Sequence, residues 1–286
     1  MFGDIPKDMV VGVCSPEPFD GIKGLLANTP FVRHSQSFRV NPRLTMSDCK
    51  SIIVVGKSYN RNAKEPADET PRGRFSLFTA GTDYHLVMKN ILLEIAEKIG
   101  GHYQVFVDTG ALVEKELLLR ANLAVLGKNF LAISPKLGSM FNAGYILTDI
   151  YAEDFAKTPA QTCGNCTLCR DACPTGAIGE RFVYEKCISY ITQKKGVLSE
   201  YEGRAAGNHL YGCDICQTVC PHNKGKQISA IDDTDEIYPD LEKLLKMTKK
   251  DFDDNYKDKI FYYKGLGHLK RNAENALKNI RDRCIL

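Results

Sequence analysis

The sequence contains no long hydrophobic run. Its longest apolar stretches, among them SIIVVG and YILTDI, are far too short to cross a bilayer, which takes about 20 apolar residues. The first residues, MFGDIPKDMVVGV, lack the basic region, apolar core and cleavage site of a secretory signal. Cys284 stands one place away from the position that prenylation requires. We therefore expect a cytoplasmic protein outside the membrane, in a reducing compartment where thiols do not form disulfides.

The sequence also lacks a strong charge bias. Its 38 Lys and Arg against 35 Asp and Glu give a net charge of +3, which does not by itself indicate a nucleic-acid partner. The 286 residues suit one large or two medium domains of an ordinary globular protein. Only the segment 255–286 is locally basic, with eight Lys or Arg against three Asp or Glu. Such a segment is either a solvated helix face or a contact surface for tRNA.

Cysteine, in contrast, is abundant, and eight of the eleven cysteines fall in two runs. The first run, CGNCTLCRDACP, has the spacing of bacterial ferredoxins, in which the fourth cysteine binds the other cluster of a pair. The second run repeats half of this pattern, and Cys187 can supply the missing thiolate. The pattern predicts two 4Fe–4S clusters, one bound by Cys163, Cys166, Cys169 and Cys220, and one by Cys173, Cys187, Cys213 and Cys216.

Zinc ribbons and disulfides are the alternatives for these cysteines. A zinc ribbon consists of two separated cysteine pairs around one ion, which leaves the triple CxxCxxC and both Cys-Pro steps unexplained. Disulfides do not fit the expected reducing compartment. Cys14 and Cys49 lie outside the runs, and we expect them to be small buried side chains.

The order of the segments predicts an α/β (α+β) protein in three parts. Short β-branched or aromatic runs start at Met9, Ser51, Tyr103, Phe130 and Tyr145, and helical patterns cover 82–101 and 111–127. Residues 60–74 are polar and contain two prolines, which predicts a long surface loop. We expect an α/β domain at 1–157, a ferredoxin-like domain with the clusters at 158–228, and a short helical segment at 229–286.

Several motifs together resemble the epoxyqueuosine reductases, a family of tRNA-modifying enzymes related to the reductive dehalogenases. The motifs cover nearly the whole chain: DYH (83–85), VDTG (107–110), LGKN (126–129), ILTD (146–149), CISY (187–190) and YGCDICQTVCP (211–221). The resemblance implies a nitroreductase-like cobalamin-binding domain before the ferredoxin-like one. It implies an oxidoreductase that converts epoxyqueuosine in tRNA to queuosine, with electrons passing from a soluble low-potential donor through two 4Fe–4S clusters to cob(I)alamin. We expect this enzyme to be a monomer.

The resemblance also implies roles for single residues. It assigns Asp108 of VDTG to protonate the opening epoxide oxygen and to contact the cofactor, although an aspartate before a helix often only caps it. It implies cobalamin contacts by Arg39, Arg43, Lys128, Asn129 and Ser134. His85 either faces this pocket or is packed in the core. No D-x-H-x-x-G box is present, so we expect cobalamin without an axial ligand from the protein.

The chain departs from the family pattern at several positions. Tyr145 stands where the family usually has Glu, and Ala111 where it usually has Pro. The helical segment at 229–286 is shorter than the C-terminal repeat domain of longer family members. Two alternatives therefore stay open: a cobalamin and iron–sulfur reductase of a small molecule, in the manner of a reductive dehalogenase, and an electron-transfer protein without substrate chemistry of its own. About 160 residues of α/β domain argue against the latter, since two clusters need only about 60.

Overall fold

The computed structural model describes residues 4–26, 30–153, 163–231 and 233–283. In this part of the chain the strands are β1 (Met9–Cys14), β2 (Ser51–Ser58), β3 (Arg61–Asn62), β4 (Arg74–Phe75), β5 (Tyr103–Phe106), β6 (Val125–Leu126), β7 (Ala132–Ile133), β8 (Phe141–Thr148), β9 (His209–Tyr211) and β10 (Ser229–Ala230). The α-helices are α1 (Gln36–Val40), α2 (Tyr84–Ile99), α3 (Glu114–Arg120), α4 (Leu168–Asp171), α5 (Ile188–Gln193), α6 (Glu200–Ala206), α7 (Ile215–Thr218), α8 (Leu241–Lys246), α9 (Lys249–Tyr256) and α10 (Leu266–Arg283). Short 3-10 helices lie at Asp20–Leu25, Pro42–Leu44, Leu77–Thr79, Tyr184–Lys186, Pro221–Asn223, Thr234–Glu236 and Tyr262–Lys264.

The mixed helix and strand content confirms the predicted fold class. The chain divides into two compact units, one of Met1–Ser58 with His85–Asn165 and one of Tyr59–Tyr84 with Cys166–Leu286. The predicted boundary between 157 and 158 lies outside the described residues. None of the helices in the described ranges is long and apolar enough to cross a membrane.

An antiparallel sheet in the order β1-β2-β8-β5 forms the framework of the first unit. Its central strand β2 is an apolar, largely β-branched run, and Ile52, Ile53 and Val55 are fully buried. The register places Val54 opposite Tyr145 of β8, and Tyr145 in turn lies opposite Phe106 of β5. The end of β5 is therefore fixed to the centre of the sheet.

Helix α2 lies in the region predicted to be helical, but it turns a different side inward. Met88, Leu92 and Ala96, spaced four residues apart, are buried, whereas Leu86, which shares the helical spacing of apolar residues in the sequence, is largely exposed. The helix ends before Gly100, whose φ of +76° fits the predicted glycine C-cap.

The second predicted helix is shorter than the sequence pattern indicates. The pattern extends to Gly127, but α3 ends at Arg120, and Val125–Leu126 is strand β6, paired with β7. The physical reason is Asn122, whose φ of +54° is left-handed and cannot continue a right-handed helix. The segment that carries LGKN is therefore a hairpin and not a helix C-terminus.

The second unit is held together by pairings between distant segments. The predicted surface loop at 60–74 contains β3, which pairs with β10, and it ends at β4, which pairs with β9. Helix α10 packs against β9, and the buried side chain of Asn272 donates hydrogen bonds to the carbonyls of Thr192 (2.8 Å) and Leu210 (2.7 Å). The cysteine region and the C-terminal helices therefore share one core in this unit.

Candidate functional site

The second unit holds seven of the eight motif cysteines. Short helices present several of them: Cys169 lies in α4, Cys187 stands at the N-cap of α5, and Cys216 lies in α7. Cys163 lies three residues earlier in the sequence than Cys166 and belongs to the first unit. All eight side chains are partly exposed, so none of them is an inert core thiol.

The thiols of the predicted second cluster lie close to one another. The pKa of Cys216 is raised to about 12, chiefly by burial and in addition by the charges of Cys213, Cys187, Cys169 and Cys173. Burial also raises the pKa of Cys213 to about 12, with smaller contributions from Asp214 and Cys187. Charges interact in this way only across short distances. Cys216 therefore lies near Cys169, Cys173, Cys187 and Cys213. Because Cys169 belongs to the other predicted ligand set, the division of the cysteines between two clusters stays a prediction.

Cys173 differs from these thiols because its surroundings stabilise the thiolate. Burial by itself would raise the pKa of Cys173, but hydrogen bonds from the Thr175 hydroxyl and the amides of Thr175, Ala177 and Ile178 lower it overall. Hydrogen bonds to cysteine sulfur are one of the means by which proteins tune iron–sulfur clusters. The donors around Cys173 fit such a role.

The expected clusters differ from a single-ion site in the spacing of their ligands. In the described ranges, no three His, Cys, Asp or Glu side chains converge as ligands of one metal ion. In a 4Fe–4S cluster each cysteine binds a different iron, so the four sulfur atoms lie farther apart than the ligands of one tetrahedral zinc. Cysteine ligands must be deprotonated, and a bound metal stabilises the thiolate form. An iron–sulfur cluster bound by these cysteines would do so.

In the first unit, Asp108 lies on a strained turn directly after β5. Its φ is +56°, a left-handed conformation that is uncommon outside glycine, and its side chain is 62% exposed. The capping alternative is wrong, because α3 begins at Glu114 with Val113 at the N-cap. The turn instead leaves the carboxyl of Asp108 accessible to solvent at the end of β5.

Two neighbours surround Asp108. The Nε2 atom of His85, on the first turn of α2, lies 3.6 Å from its Oδ2 atom, and the His85 side chain is 28% exposed. His85 is therefore not a core histidine. The amide of Asp108 donates a hydrogen bond of 2.7 Å to Oε1 of Glu114. The pKa of Glu114 is raised to about 8 by burial and by the charge of Asp108, while the hydrogen bond from the Asp108 amide and the charge of His85 oppose this shift.

Asn129 and Ser134 are buried with polar atoms that have no partner. Asn129 is 4% exposed and its Oδ1 accepts a hydrogen bond from the amide of Leu131, but its Nδ2 has no partner. Ser134 is 1% exposed, and its Oγ has no partner either. An unsatisfied buried polar group costs about 1–3 kcal/mol, so such groups call for an explanation. A bound ligand that supplies the missing hydrogen-bond partners would explain both groups.

The other predicted cofactor contacts already have protein partners. Lys128 donates a hydrogen bond of 2.6 Å from Nζ to the carbonyl of Gly164. Arg43 forms an exposed ion pair with Glu17 at 3.1 Å. Arg39 lies on α1, burial lowers its pKa, and its carbonyl accepts a hydrogen bond from the amide of Val113. The segment with Arg39 thus lies beside the loop that follows Asp108.

Sequence reasoning missed two residues of this site. Glu114 was read only as part of a helix, and Tyr145 only as a departure from a pattern. Tyr145 is fully buried, its ring stacks on Phe106 with centroids 5.0 Å apart, and its hydroxyl accepts a hydrogen bond from the amide of Leu112 at 3.3 Å. An acidic residue in the first turn of a helix directly after VDTG was the available signal for Glu114.

Two protein-family models match the chain in the regions just described. A model described as "Epoxyqueuosine reductase QueG, DUF1730" matches residues 39–109, which include Asp108. A model described as "4Fe-4S double cluster binding domain" matches residues 162–223, which include all eight motif cysteines.

Relatives and solved structures agree with these models. The chain is 35% identical to the epoxyqueuosine reductase of Lactococcus garvieae over 96% of this chain and 84% of the relative. A crystal structure of an epoxyqueuosine reductase with an epoxyqueuosine-modified tRNA-Tyr stem loop has a TM-score of 0.87 at 32% identity, covering 96% of this chain and 78% of that one. The Bacillus subtilis enzyme, solved with its catalytic aspartate loop swung out of the active site, has a TM-score of 0.85 at 30% identity, with the same two coverages.

Proposed function

This chain belongs to the epoxyqueuosine reductase family, and from that premise we propose that it reduces epoxyqueuosine in tRNA to queuosine. The observation that carries the proposal is the position of Asp108: an exposed carboxyl on a strained turn, at the position to which the family resemblance assigns the acid. Strained backbone at such a turn is typical of functional sites. In a solved relative, the Bacillus subtilis enzyme, an aspartate also lies on a loop that is called catalytic.

Removal of an epoxide oxygen to leave an alkene consumes two electrons and two protons and releases water. In this proposal Asp108 delivers a proton to the oxygen as the carbon–oxygen bond breaks. His85, 3.6 Å from its carboxyl, is the neighbour able to exchange a proton with it. General acid catalysis of this kind contributes roughly 100- to 10,000-fold to a rate.

We propose cobalamin as the cofactor of the first unit, held by Asn129, Ser134, Arg39, Arg43 and Lys128 near Asp108. The unpartnered Nδ2 of Asn129 and Oγ of Ser134 support this assignment, because the amide side chains of a corrin offer matching donors and acceptors. Bound cobalamin would supply a strong, low-potential reductant. The protein's own part is to hold the ring, exclude water and place the Asp108 proton.

The electrons would enter through the two clusters in the ligand sets given by the cysteine pattern. Their donor would be a soluble low-potential protein or small reductant, since 4Fe–4S clusters reach down to about −700 mV. We place the enzyme in the cytoplasm as a monomer, where thiols stay reduced and tRNA is present. Exposed cations of the second unit, such as Lys243 (79% exposed) and Arg281 (65%), are candidate contacts for the tRNA backbone.

The test is anaerobic reconstitution with iron, sulfide and cobalamin, followed by incubation with epoxyqueuosine-containing tRNA and mass spectrometry of the nucleosides. We expect queuosine to form with the wild-type protein and to fall at least about 100-fold with Asp108→Asn, which keeps the shape but cannot deliver the proton. Asp254→Asn, on the exposed side of α9, is the control and should match the wild type.

Three outcomes separate the alternatives. A loaded protein that leaves epoxyqueuosine unchanged contradicts the tRNA reaction and points to a small-molecule substrate. A protein that takes up iron but no cobalamin points to electron transfer alone. Full activity of Asp108→Asn contradicts the role of Asp108 while leaving the substrate assignment intact.

A further inference from the structure

The backbone of the Asp108 turn is bound by a side chain of the following helix. The amide of Asp108 donates to Oε1 of Glu114 at 2.7 Å, a bond that reaches six residues forward to the first residue of α3. The φ of +56° is a left-handed conformation that is uncommon outside glycine, although aspartate adopts it more readily than most residues. A hydrogen bond to a carboxyl is strong enough to stabilise it.

Glu114 itself is anchored from the opposite side. It begins α3, whose Leu117 and Leu118 are buried in the core of the first unit. The amide of Val113, the residue before it, donates to the carbonyl of Arg39 at 3.2 Å. Glu114 therefore lies on a packed helix, whereas Asp108 lies on an exposed turn, and the hydrogen bond between them connects the turn to the helix.

The side chain of Tyr145 packs against the loop that follows Asp108. Its hydroxyl contacts the α-carbon region of Gly110 so closely that a β-carbon at this position could not fit, and it accepts a bond from the amide of Leu112. The loop from Asp108 to Leu112 is thus held at its first residue by Glu114 and at its last by Tyr145.

From this geometry we infer that Glu114 is a positioning residue, which keeps Asp108 in the left-handed turn that presents its carboxyl to the substrate. The inference rests on the proposed function for its kinetic consequence, but its structural consequence is independent of any substrate. In the structure of the Bacillus subtilis relative, the catalytic aspartate loop is swung out of the active site. A loop of this kind can therefore adopt more than one conformation.

The electrostatics of the site agree with this role. Burial, and then the charge of Asp108, raise the pKa of Glu114 to about 8. A protonated carboxyl still accepts a hydrogen bond through its carbonyl oxygen, and it does not repel the neighbouring Asp108 carboxylate. Glutamine is the isostere of this protonated form, so Glu114→Gln preserves the contact and Glu114→Ala removes it.

The structural test is amide hydrogen exchange on the full-length, cluster-loaded protein under nitrogen, resolved to the Asp108 amide by fragmentation. We expect exchange at Asp108 to accelerate about tenfold or more in Glu114→Ala and Glu114→Asp, whose shorter side chain does not reach the amide. Glu114→Gln should stay within about twofold of the wild type. Glu116→Ala removes another acid from the same helix turn and should leave exchange at Asp108 unchanged.

The kinetic test compares the same variants on epoxyqueuosine-containing tRNA. We expect kcat to fall about tenfold or more in Glu114→Ala with KM within about twofold, and Glu114→Gln to restore it. Unchanged exchange at Asp108 in Glu114→Ala, or a Gln variant as fast as the Ala variant, overturns the inference. If Glu114→Ala does not fold, the Asp and Gln variants decide. Altered exchange without any epoxyqueuosine activity in the wild type would uphold the positioning role and refute the proposed function.

Discussion

The Nζ atom of Lys128 donates a hydrogen bond of 2.6 Å to the carbonyl oxygen of Gly164. Gly164 lies between Cys163 and Cys166, two expected ligands of the first cluster, and its φ of +47° is left-handed. The lysine of LGKN thus contacts the loop that carries the cluster ligands. Its role as a cobalamin contact stays a prediction, and the same ammonium would also lie near a cluster bound at Cys163.

A positive charge next to an iron–sulfur cluster favours the reduced state, which carries one more negative charge. Lys128→Met should therefore lower the midpoint potential of one cluster by an amount on the order of tens of millivolts. Redox titration followed by electron paramagnetic resonance measures this shift. Lys89→Met, on the exposed side of α2, is the matched control. An unchanged potential in Lys128→Met would show that solvent screens the ammonium from the cluster.

Because the hydroxyl of Ser134 is buried without a partner, its removal should affect protein stability and cobalamin affinity in opposite directions. Ser134→Ala removes a buried polar atom without a partner, so the free energy of unfolding of the cofactor-free protein should stay the same or rise by up to about 1 kcal/mol. Affinity for cobalamin, measured by spectroscopic titration, should fall about tenfold because a hydrogen bond to the ligand is lost. Stability and binding would then change in different directions.

Ser58→Ala is the control for this pair of measurements. The Ser58 hydroxyl is also buried, but it donates to the carbonyl of Met140 at 3.4 Å. Its removal should lower stability and leave cobalamin affinity unchanged. If Ser134→Ala behaves like Ser58→Ala in both measurements, the Ser134 hydroxyl has a structural partner and is not a cofactor contact.

The parts of the site that the sequence predicted are those with local signals. The spacing of Cys173, Cys213 and Cys216 in CxxC and Cys-Pro motifs predicts a shared cluster. Besides burial, the charges of Cys213, Cys187, Cys169 and Cys173 raise the pKa of Cys216, so these thiols are neighbours, and their assignment to one cluster stays a prediction. Likewise, the β-branched run at Ser51 and the apolar run ending at Thr148 predict strands, because burial in a sheet selects such residues.

The parts that were missed depend on backbone angles and on distant partners. The early end of α3 follows from the left-handed φ of Asn122, which a helical pattern of apolar residues does not reveal. The role of Glu114 depends on the equally left-handed Asp108. The segment Tyr59–Tyr84 joins the second unit through parallel pairing of β4 with β9, more than a hundred residues away, and no local pattern encodes such a partner.

Asp214, between two expected ligands of the second cluster, fixes the position of its loop. Its carboxylate accepts hydrogen bonds from the hydroxyl of Ser76 (2.5 Å) and the amide of Leu77 (2.7 Å), and it is 1% exposed. Asp214→Ala leaves both donors without a partner, which should lower the free energy of unfolding by about 2–4 kcal/mol. The iron content after reconstitution should fall as well, whereas Asp254→Ala should change neither. Normal iron content in Asp214→Ala would show that the cluster, and not Asp214, holds the loop in place.

The raised pKa of Glu114 makes the stability of the first unit depend on pH. The folded protein keeps the Glu114 proton up to about pH 8, whereas the unfolded chain loses it near the ordinary value of 4.5. Between these values the folded state holds more protons, so this group lowers the free energy of unfolding as the pH rises. Glutamine cannot ionise, and Glu114→Gln should gain stability over the wild type across this window, by at most about 1.4 kcal/mol per pH unit.

Urea unfolding of the wild type and of Glu114→Gln at pH 4.5 and at pH 8, followed by circular dichroism, measures their free energies of unfolding. The difference between the two proteins should be near zero at pH 4.5 and largest at pH 8. Glu116→Gln, in the same first turn of α3, serves as the control and should show no such growth. If the free energies of unfolding of the wild type and Glu114→Gln differ by the same amount at both pH values, Glu114 ionises normally. The buried, neutral carboxyl beneath Asp108 would then have to be abandoned, although the hydrogen bond to the Asp108 amide could remain.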